Sequence, residues 1–196
     1  QATSDFYRLN WIGEGDQQDD PVFQELLLKY GDHSYGLCVE EDPVLFKKWD
    51  NLKNCPAHSL GRNLWEFYQS RGFKLPGELG AGNSALAHHD WVHLIADYDT
   101  TPTGELEVTA FMASSSQSSG ATLGFIGAIS ILETGLLHSF YGADKFGNAL
   151  SSGDGINRVA EAIDRGKRLN IDPLLGVDYF KYANEPLYDI RKTWWD

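Results

Sequence analysis

Apolar side chains recur along this chain at the spacing of amphipathic helices, and strand-like alternation is scarce. The stripe that begins at Leu60 repeats every three or four residues through Tyr68 and stops at Gly72, a residue typical of a helix C-terminus. Asp42 followed by Pro43 is a typical helix start, because aspartate caps the first turn and proline fits its first position. These patterns predict an all-α fold.

The predicted helices cover most of the chain, and Pro186 is expected to break or kink the last one. They are 21–30, a helix that starts at 43, 60–72, 84–97, 105–117, 120–141, 156–169 and 177–194. With 196 residues the chain can bury a sizeable core in one domain. We therefore expect residues 1–196 to form a single helical bundle.

The helix predicted over 120–141 is rich in glycine, alanine and serine. Small residues let helices pack closely, which is one interpretation. They also leave room for an apolar groove that could accept a long hydrocarbon tail. The groove residues would be Leu123, Phe125, Ile126, Ile129 and Leu132. Glu133 lies within this apolar stretch, and we expect an arginine such as Arg62 or Arg191 to pair with it.

The net charge of −12 argues against two classes of partner, nucleic acids and anionic lipid surfaces. Nucleic-acid binding needs clustered lysine and arginine, and so does simple attraction to anionic lipid. The main basic cluster, on one predicted helix, comprises Arg158, Arg165, Lys167 and Arg168. We favour a helix face exposed to solvent as its interpretation, and contact with an anion is the alternative. Cys38 and Cys55 are too few for a disulfide framework or a thiolate metal site. No apolar run reaches the roughly 20 residues of a membrane span, and we see no signal peptide.

The pattern H-D-x-x-H-x₁₁-E, formed by His89, Asp90, His93 and Glu105, is the strongest chemical signal. On a helix the two histidines lie one turn apart, and the aspartate reaches the same side. A turn over 100–104 would bring Glu105 back over the first helix as a fourth ligand. His88 offers a competing register, and a hydrogen-bonded pair on a wet helix face is the non-metal alternative.

Two imidazoles and two carboxylates suit a divalent cation, with Zn²⁺ expected first and Fe²⁺, Mn²⁺ or Mg²⁺ as alternatives. Four protein ligands can close a zinc site and make it structural, whereas catalysis needs an open position. A site closed by four protein ligands therefore indicates a scaffold, whereas a site with an open position indicates an enzyme.

Several segments resemble the coenzyme Q (ubiquinone) biosynthesis protein four family. They are 59–72 with its aromatic residues, His89-Asp90-Trp91-Val92-His93, Pro102-Thr103-Gly104-Glu105, the small residues of 120–128 and, more weakly, 179–191. The likeness runs from about residue 59 to the end, and the spacing of the metal motif is its specific part.

The resemblance implies a metal-dependent lyase that acts on a polyprenylated 4-hydroxybenzoate, by C1 decarboxylation coupled to hydroxylation at the same carbon. His89, Asp90, His93 and Glu105 would be both the metal ligands and the catalytic residues. The expected partners are a polyprenylated aromatic or isoprenoid lipid and other quinone-biosynthesis proteins. We further expect a homodimer, located in the cytoplasm or peripherally on a membrane; in a eukaryote this would be the matrix side of the mitochondrial inner membrane.

Two other functions remain open at this point. The chain could be a non-enzymatic isoprenoid-binding scaffold for a quinone-synthesis complex, with the metal joining two helices. It could also be an HD-type phosphohydrolase, because His89-Asp90 matches that dipeptide. The phosphohydrolase would need His58 upstream and Asp144 or Asp154 downstream as further ligands.

Overall fold

The computed structural model describes residues 38, 40–82, 84, 87–116, 118–134, 147–173 and 177–195. Within these residues the chain is helical and has no strand, and an isolated antiparallel bridge joins Ser59 and Pro186. The all-α prediction is therefore confirmed. The helix predicted over 21–30 and the end of the one predicted over 120–141 lie outside the described residues.

Seven α-helices and two short 3₁₀ turns follow one another in the described residues. The α-helices are α1 (Pro43–Asp50), α2 (Leu60–Arg71), α3 (His88–Ala96), α4 (Pro102–Ser115), α5 (Ser119–Thr134), α6 (Gly155–Gly166) and α7 (Leu187–Trp195). The 3₁₀ turns are Asn51–Asn54 and Tyr179–Tyr182.

These elements belong to two compact units. The first unit comprises residues 36–97 and 176–196 and contains α1, α2, α3 and α7. The second unit contains α4, α5 and α6 and, of the described residues, 98–116, 118–134 and 147–173. The single domain expected over residues 1–196 stays a prediction.

Local signals placed several helix ends correctly. Oδ1 of Asp42 accepts the backbone N–H groups at the start of α1. Gly72 ends α2 in the left-handed conformation, with φ of 66°. Pro186 separates the 3₁₀ turn at 179–182 from α7, so the last predicted helix is broken there.

Other helix ends differ from the predictions. The helix with the metal motif begins at His88 rather than at residue 84. The next helix begins at Pro102 rather than at Glu105, because the Thr101 hydroxyl caps it by accepting the Gly104 N–H. Glu105 consequently lies in the first turn of α4.

An aromatic cluster forms the core of the first unit. Trp49, Trp91 and Tyr179 are each at most 2% exposed. The Trp91 and Tyr179 rings are stacked, with centroids 5.4 Å apart and planes 8° apart. Phe180 meets Trp49 edge-on at 5.4 Å. Because aromatic pairs add about 0.5–1.5 kcal/mol each beyond burial, this cluster fixes the surroundings of α3.

The second unit is built around α4, which packs against both α5 and α6. Leu106, Val108, Ala110 and Phe111 of α4 are fully buried. Gly166 at the end of α6 allows a close approach to α4, because a Cβ there would lie 2.1 Å from the Ser114 hydroxyl oxygen. Among the helices described in either unit, none combines the length and apolarity needed to cross a membrane.

Candidate metal centre

Three potential metal ligands meet on α3. The imidazole centroids of His89 and His93 lie 5.2 Å apart, as expected for residues one helical turn apart. Oδ1 of Asp90 lies 3.4 Å from Nε2 of His89. One ligand atom from each residue lies within 4.8 Å of the others. The helix therefore gathers two imidazoles and a carboxylate around one point, as the spacing predicts.

The structure resolves the competing register offered by His88. Its imidazole packs against the ring of Tyr179, with centroids 4.9 Å apart, and Trp91 stacks on the same tyrosine. His88 therefore lies with the aromatic core, and the cluster of ligand atoms is formed with His89.

The cluster is only partly shielded from solvent. His93 is 1% exposed, whereas the side chains of His89 and Asp90 are 24% and 14% exposed. Asp90 also lies in the first turn of α3, where the helix dipole favours a negative charge. One ligand is thus fully buried, while the other two side chains are partly exposed to solvent.

Two consecutive residues of α2 support this cluster. The Tyr68 hydroxyl donates a hydrogen bond to Oδ2 of Asp90. The ring of Phe67 lies against His93, with centroids 5.9 Å apart, and the Arg71 guanidinium lies 3.9 Å from the Phe67 centroid. Sequence reasoning treated these aromatics as part of an amphipathic stripe and missed the bond from Tyr68. A phenol within an otherwise apolar stripe was the available signal.

The C-terminal end of α3 is held by α7. Nε of Arg191 donates to the Leu94 carbonyl at 3.2 Å, and Nη2 bonds Oδ1 of Asp97 at 3.0 Å. Asp97 ends α3 in the left-handed conformation, with φ of 62°. A cation at a helix C-terminus also interacts favourably with the helix dipole. The C-terminal end of the motif helix is thereby fixed within the first unit.

The donor set fits a divalent ion. Two imidazole nitrogens and one carboxylate oxygen are ligands that Zn²⁺, Fe²⁺ and Mn²⁺ accept in proteins. Metal-binding carboxylates generally have a hydrogen-bonding partner of their own, and Tyr68 supplies one to Asp90. Three protein ligands are also the usual complement of a catalytic zinc site.

Glu105, the fourth predicted ligand, lies on α4 in the second unit. Its backbone N–H donates to the Thr101 carbonyl at 2.8 Å, within the first turn of the helix. Its membership of the ligand set stays a prediction. Of the further residues that a phosphohydrolase would need, His58 is exposed with φ of 63°, and Asp144 lies outside the described residues.

The predicted groove residues lie on α5, in the second unit. Leu123 and Ile126, one turn apart, are 41% and 53% exposed. Phe125 and Ile129 are half-buried, and Leu132 is buried at 8% exposure. The helix thus presents apolar side chains at its surface, and the groove itself stays a prediction.

Two predictions about charged residues of the second unit need correction. The solvated face predicted for the basic cluster holds for the exposed Lys167 and Arg168 and is wrong for Arg158, whose guanidinium forms two hydrogen bonds with the buried Glu107 carboxylate, at 3.1 and 2.5 Å. Among the residues that the structure describes, no arginine pairs with Glu133. It accepts the Ser151 hydroxyl and the backbone N–H groups of Leu150 and Ser151, and these bonds hold its pKa below the usual value of 4.5.

No protein-family profile and no curated protein matches this chain. Among solved structures, the chain is similar to a candidate ubiquinone biosynthesis protein from Nostoc punctiforme PCC 73102. The similarity has a TM-score of 0.53 at 14% sequence identity and covers 96% of this chain and 80% of the other. At that identity the comparison establishes a shared fold.

Proposed function

We propose that this chain is a metal-dependent protein of quinone biosynthesis, related to the coenzyme Q biosynthesis protein four family. The single observation that carries the proposal is the convergence of His89, Asp90 and His93, in the spacing of that family's motif. The fold shared with a candidate ubiquinone biosynthesis protein supports the same context.

In this proposal His89, Asp90 and His93 hold one divalent cation, Zn²⁺ first among the alternatives, and Glu105 is the fourth ligand. A bound ion of this kind supplies Lewis-acid stabilisation of the negative charge that builds on a substrate ring. His93, enclosed by Phe67 and the helix, fixes the buried side of the site. His89 and Asp90 form the accessible side, where a substrate carboxylate can approach.

The proposed reaction is C1 decarboxylation of a polyprenylated 4-hydroxybenzoate. The bond between C1 and the carboxyl carbon breaks, carbon dioxide leaves, and the electron pair stays on C1, which takes up one proton. This half is redox-neutral. Hydroxylation at the same carbon inserts one oxygen atom of dioxygen into the new C1–H bond. The other oxygen atom leaves as water, with two electrons from a reductant and two protons from solvent; dioxygen and the reductant are co-reactants.

The substrate class also needs an apolar surface for its prenyl tail. The exposed Leu123 and Ile126 of α5 support tail binding by that helix. Burying one large apolar side chain is worth about 1.5–3 kcal/mol, so a few such contacts would hold a tail appreciably. Because a prenylated substrate of this kind lies in membranes, the proposal includes the expected peripheral contact with a membrane.

The test is turnover by the metal-loaded chain. The protein is loaded with Zn²⁺, Fe²⁺, Mn²⁺ or Mg²⁺ and incubated with a prenylated 4-hydroxybenzoate labelled in the carboxyl carbon, while labelled carbon dioxide and the ring product are followed. Dioxygen and a chemical reductant are added in parallel reactions. Absence of turnover with every ion, in both settings, defeats the enzyme proposal.

Matched histidine variants assign the turnover to the cluster. His89→Ala is expected to lower it by more than about 100-fold, because even the outer partners of a metal ligand contribute about 10- to 100-fold. His58→Asn, at an exposed histidine whose φ of 63° asparagine tolerates, should leave turnover unchanged. Glu105→Gln should behave like His89→Ala, and unaltered metal content and turnover in that variant would remove Glu105 from the ligand set.

A second candidate function is a non-enzymatic isoprenoid-binding scaffold. The exposed apolar side chains of α5 favour it, because they require no catalysis. Prenyl lipid that copurifies with the protein, together with loss of stability on chelation and no turnover, would support the scaffold over the enzyme.

A further inference from the structure

One hydroxyl group contacts the candidate metal centre from a different helix. The Tyr68 hydroxyl donates to Oδ2 of Asp90, while Oδ1 of the same carboxylate lies 3.4 Å from Nε2 of His89. We propose that Tyr68 is a positioning residue that restricts Asp90 to a single ligand oxygen, Oδ1. This inference rests on the proposed function, because it takes the metal site as its premise.

The phenol of Tyr68 is held in place by its surroundings. The residue is 3% exposed. Its ring contacts Trp49 at 5.9 Å, Phe67 at 6.1 Å and Phe73 at 6.0 Å between centroids. A side chain packed on these sides cannot swing its hydroxyl away at low cost, because off-rotamer positions and lost aromatic contacts each cost about 1 kcal/mol.

The two oxygens of Asp90 consequently face different partners. Oδ2 accepts a charge-assisted O–H bond, which is about twice as strong as a neutral one. Oδ1 lies on the side of the imidazoles. A carboxylate whose second oxygen is engaged in this way offers a cation one oxygen rather than two. We infer that Tyr68 thereby leaves one more position at the ion free for a substrate oxygen than two-oxygen binding by Asp90 would leave.

Titration with Co²⁺, whose visible absorption reports its coordination, tests this role without relying on turnover. Tyr68→Phe keeps the ring and removes the hydroxyl. We expect it to weaken Co²⁺ binding by about 10- to 100-fold. We also expect the visible absorption bands to weaken, because a released Asp90 can bind through both oxygens and raise the coordination number. Tyr182→Phe, at another tyrosine of the first unit that packs on Trp194, is the matched control and should change neither property.

A double-mutant cycle shows whether Tyr68 acts through Asp90. In Asp90→Ala, which lacks the acceptor, adding Tyr68→Phe should change the Kd for Co²⁺ by less than about twofold. A loss as large as in the wild-type background overturns the positioning role. A lower melting temperature of the metal-free Tyr68→Phe protein, with unaltered Kd and spectrum, shows a purely structural residue and overturns it as well.

The wild-type protein offers a test that needs no variant. The infrared difference spectrum on Zn²⁺ binding, recorded with carboxyl-labelled aspartate, should show the wide separation of carboxylate stretches typical of one-oxygen ligation. A narrow separation, typical of two-oxygen ligation, overturns the inference alone. Failure of the wild-type protein to bind Co²⁺ or Zn²⁺ at all overturns the inference and the proposed function together.

Discussion

Replacing Arg158 by methionine should destabilise the second unit, because it leaves the Glu107 carboxylate buried without its partner. The Glu107 side chain is 8% exposed, and the guanidinium bonds both of its oxygens, at 3.1 and 2.5 Å. Removing one partner of a buried ion pair typically costs about 3–5 kcal/mol. Arg158 is 39% exposed, so water can enter the vacated space, and we discount the loss to roughly 2–3 kcal/mol.

Urea unfolding followed by far-ultraviolet circular dichroism measures this loss. The transition midpoint should fall while its slope stays unchanged, since the surface exposed on unfolding is the same. The hydrogen bonds with Glu107 raise the pKa of Arg158 above its ordinary value. Because a raised arginine pKa leaves this stabilisation complete at every pH below the ordinary value, which is strongly alkaline, the contribution of the Arg158 charge should not change near neutral pH.

Two further variants make the expectation refutable. Lys167→Met removes an exposed pair with Asp164, whose nitrogen–oxygen distance is 3.4 Å, and should cost less than about 0.5 kcal/mol. Adding Glu107→Leu to Arg158→Met should restore most of the stability, because an apolar pair of similar volume needs no partner. A cost for Arg158→Met as small as that of Lys167→Met would refute the assignment of a buried ion pair.

Three other substitutions test packing and hydrogen bonds within the two units. Gly166→Ala should lower the unfolding free energy by about 1–3 kcal/mol, and adding Ser114→Ala should restore part of it, since the new Cβ would lie 2.1 Å from that hydroxyl oxygen. Arg191→Ala should lower the unfolding free energy by about 1–2 kcal/mol and weaken Co²⁺ binding, because the C-terminal end of α3 loses its hydrogen-bond donor. Unaltered affinity for Co²⁺ would show that this contact does not influence the metal site. Glu133→Gln should lower the melting temperature at neutral pH, with the difference from wild type vanishing as the pH falls below 4.5. The hydrogen bond from Ser151 lowers the pKa of the Glu133 carboxylate, so this bond stabilises the protein above the ordinary carboxyl pKa and the stabilisation is lost when the carboxylate is protonated. A difference in melting temperature between variant and wild type that persists in acid would contradict this explanation.

The sequence alone determined the helical architecture and the core of the metal motif. The order of helices follows from apolar spacing, and the ends at Asp42, Gly72 and Pro186 follow from caps and from the missing proline N–H. The cluster of His89 and His93 follows from the helical repeat itself. Each of these features depends on atoms a few residues apart, which a sequence records directly.

Only the tertiary structure decided which distant groups meet. The partner of Asp90 is 22 residues away on another helix, and the partner of Glu107 is 51 residues away. His88 and His89 are equivalent by spacing, and packing against Tyr179 alone separates them. Glu133 is satisfied by loop N–H groups and a serine hydroxyl, which charge matching with arginine could not predict. A buried polar group needs some hydrogen-bonding partner, but the choice among many chemically suitable ones depends on how the helices pack.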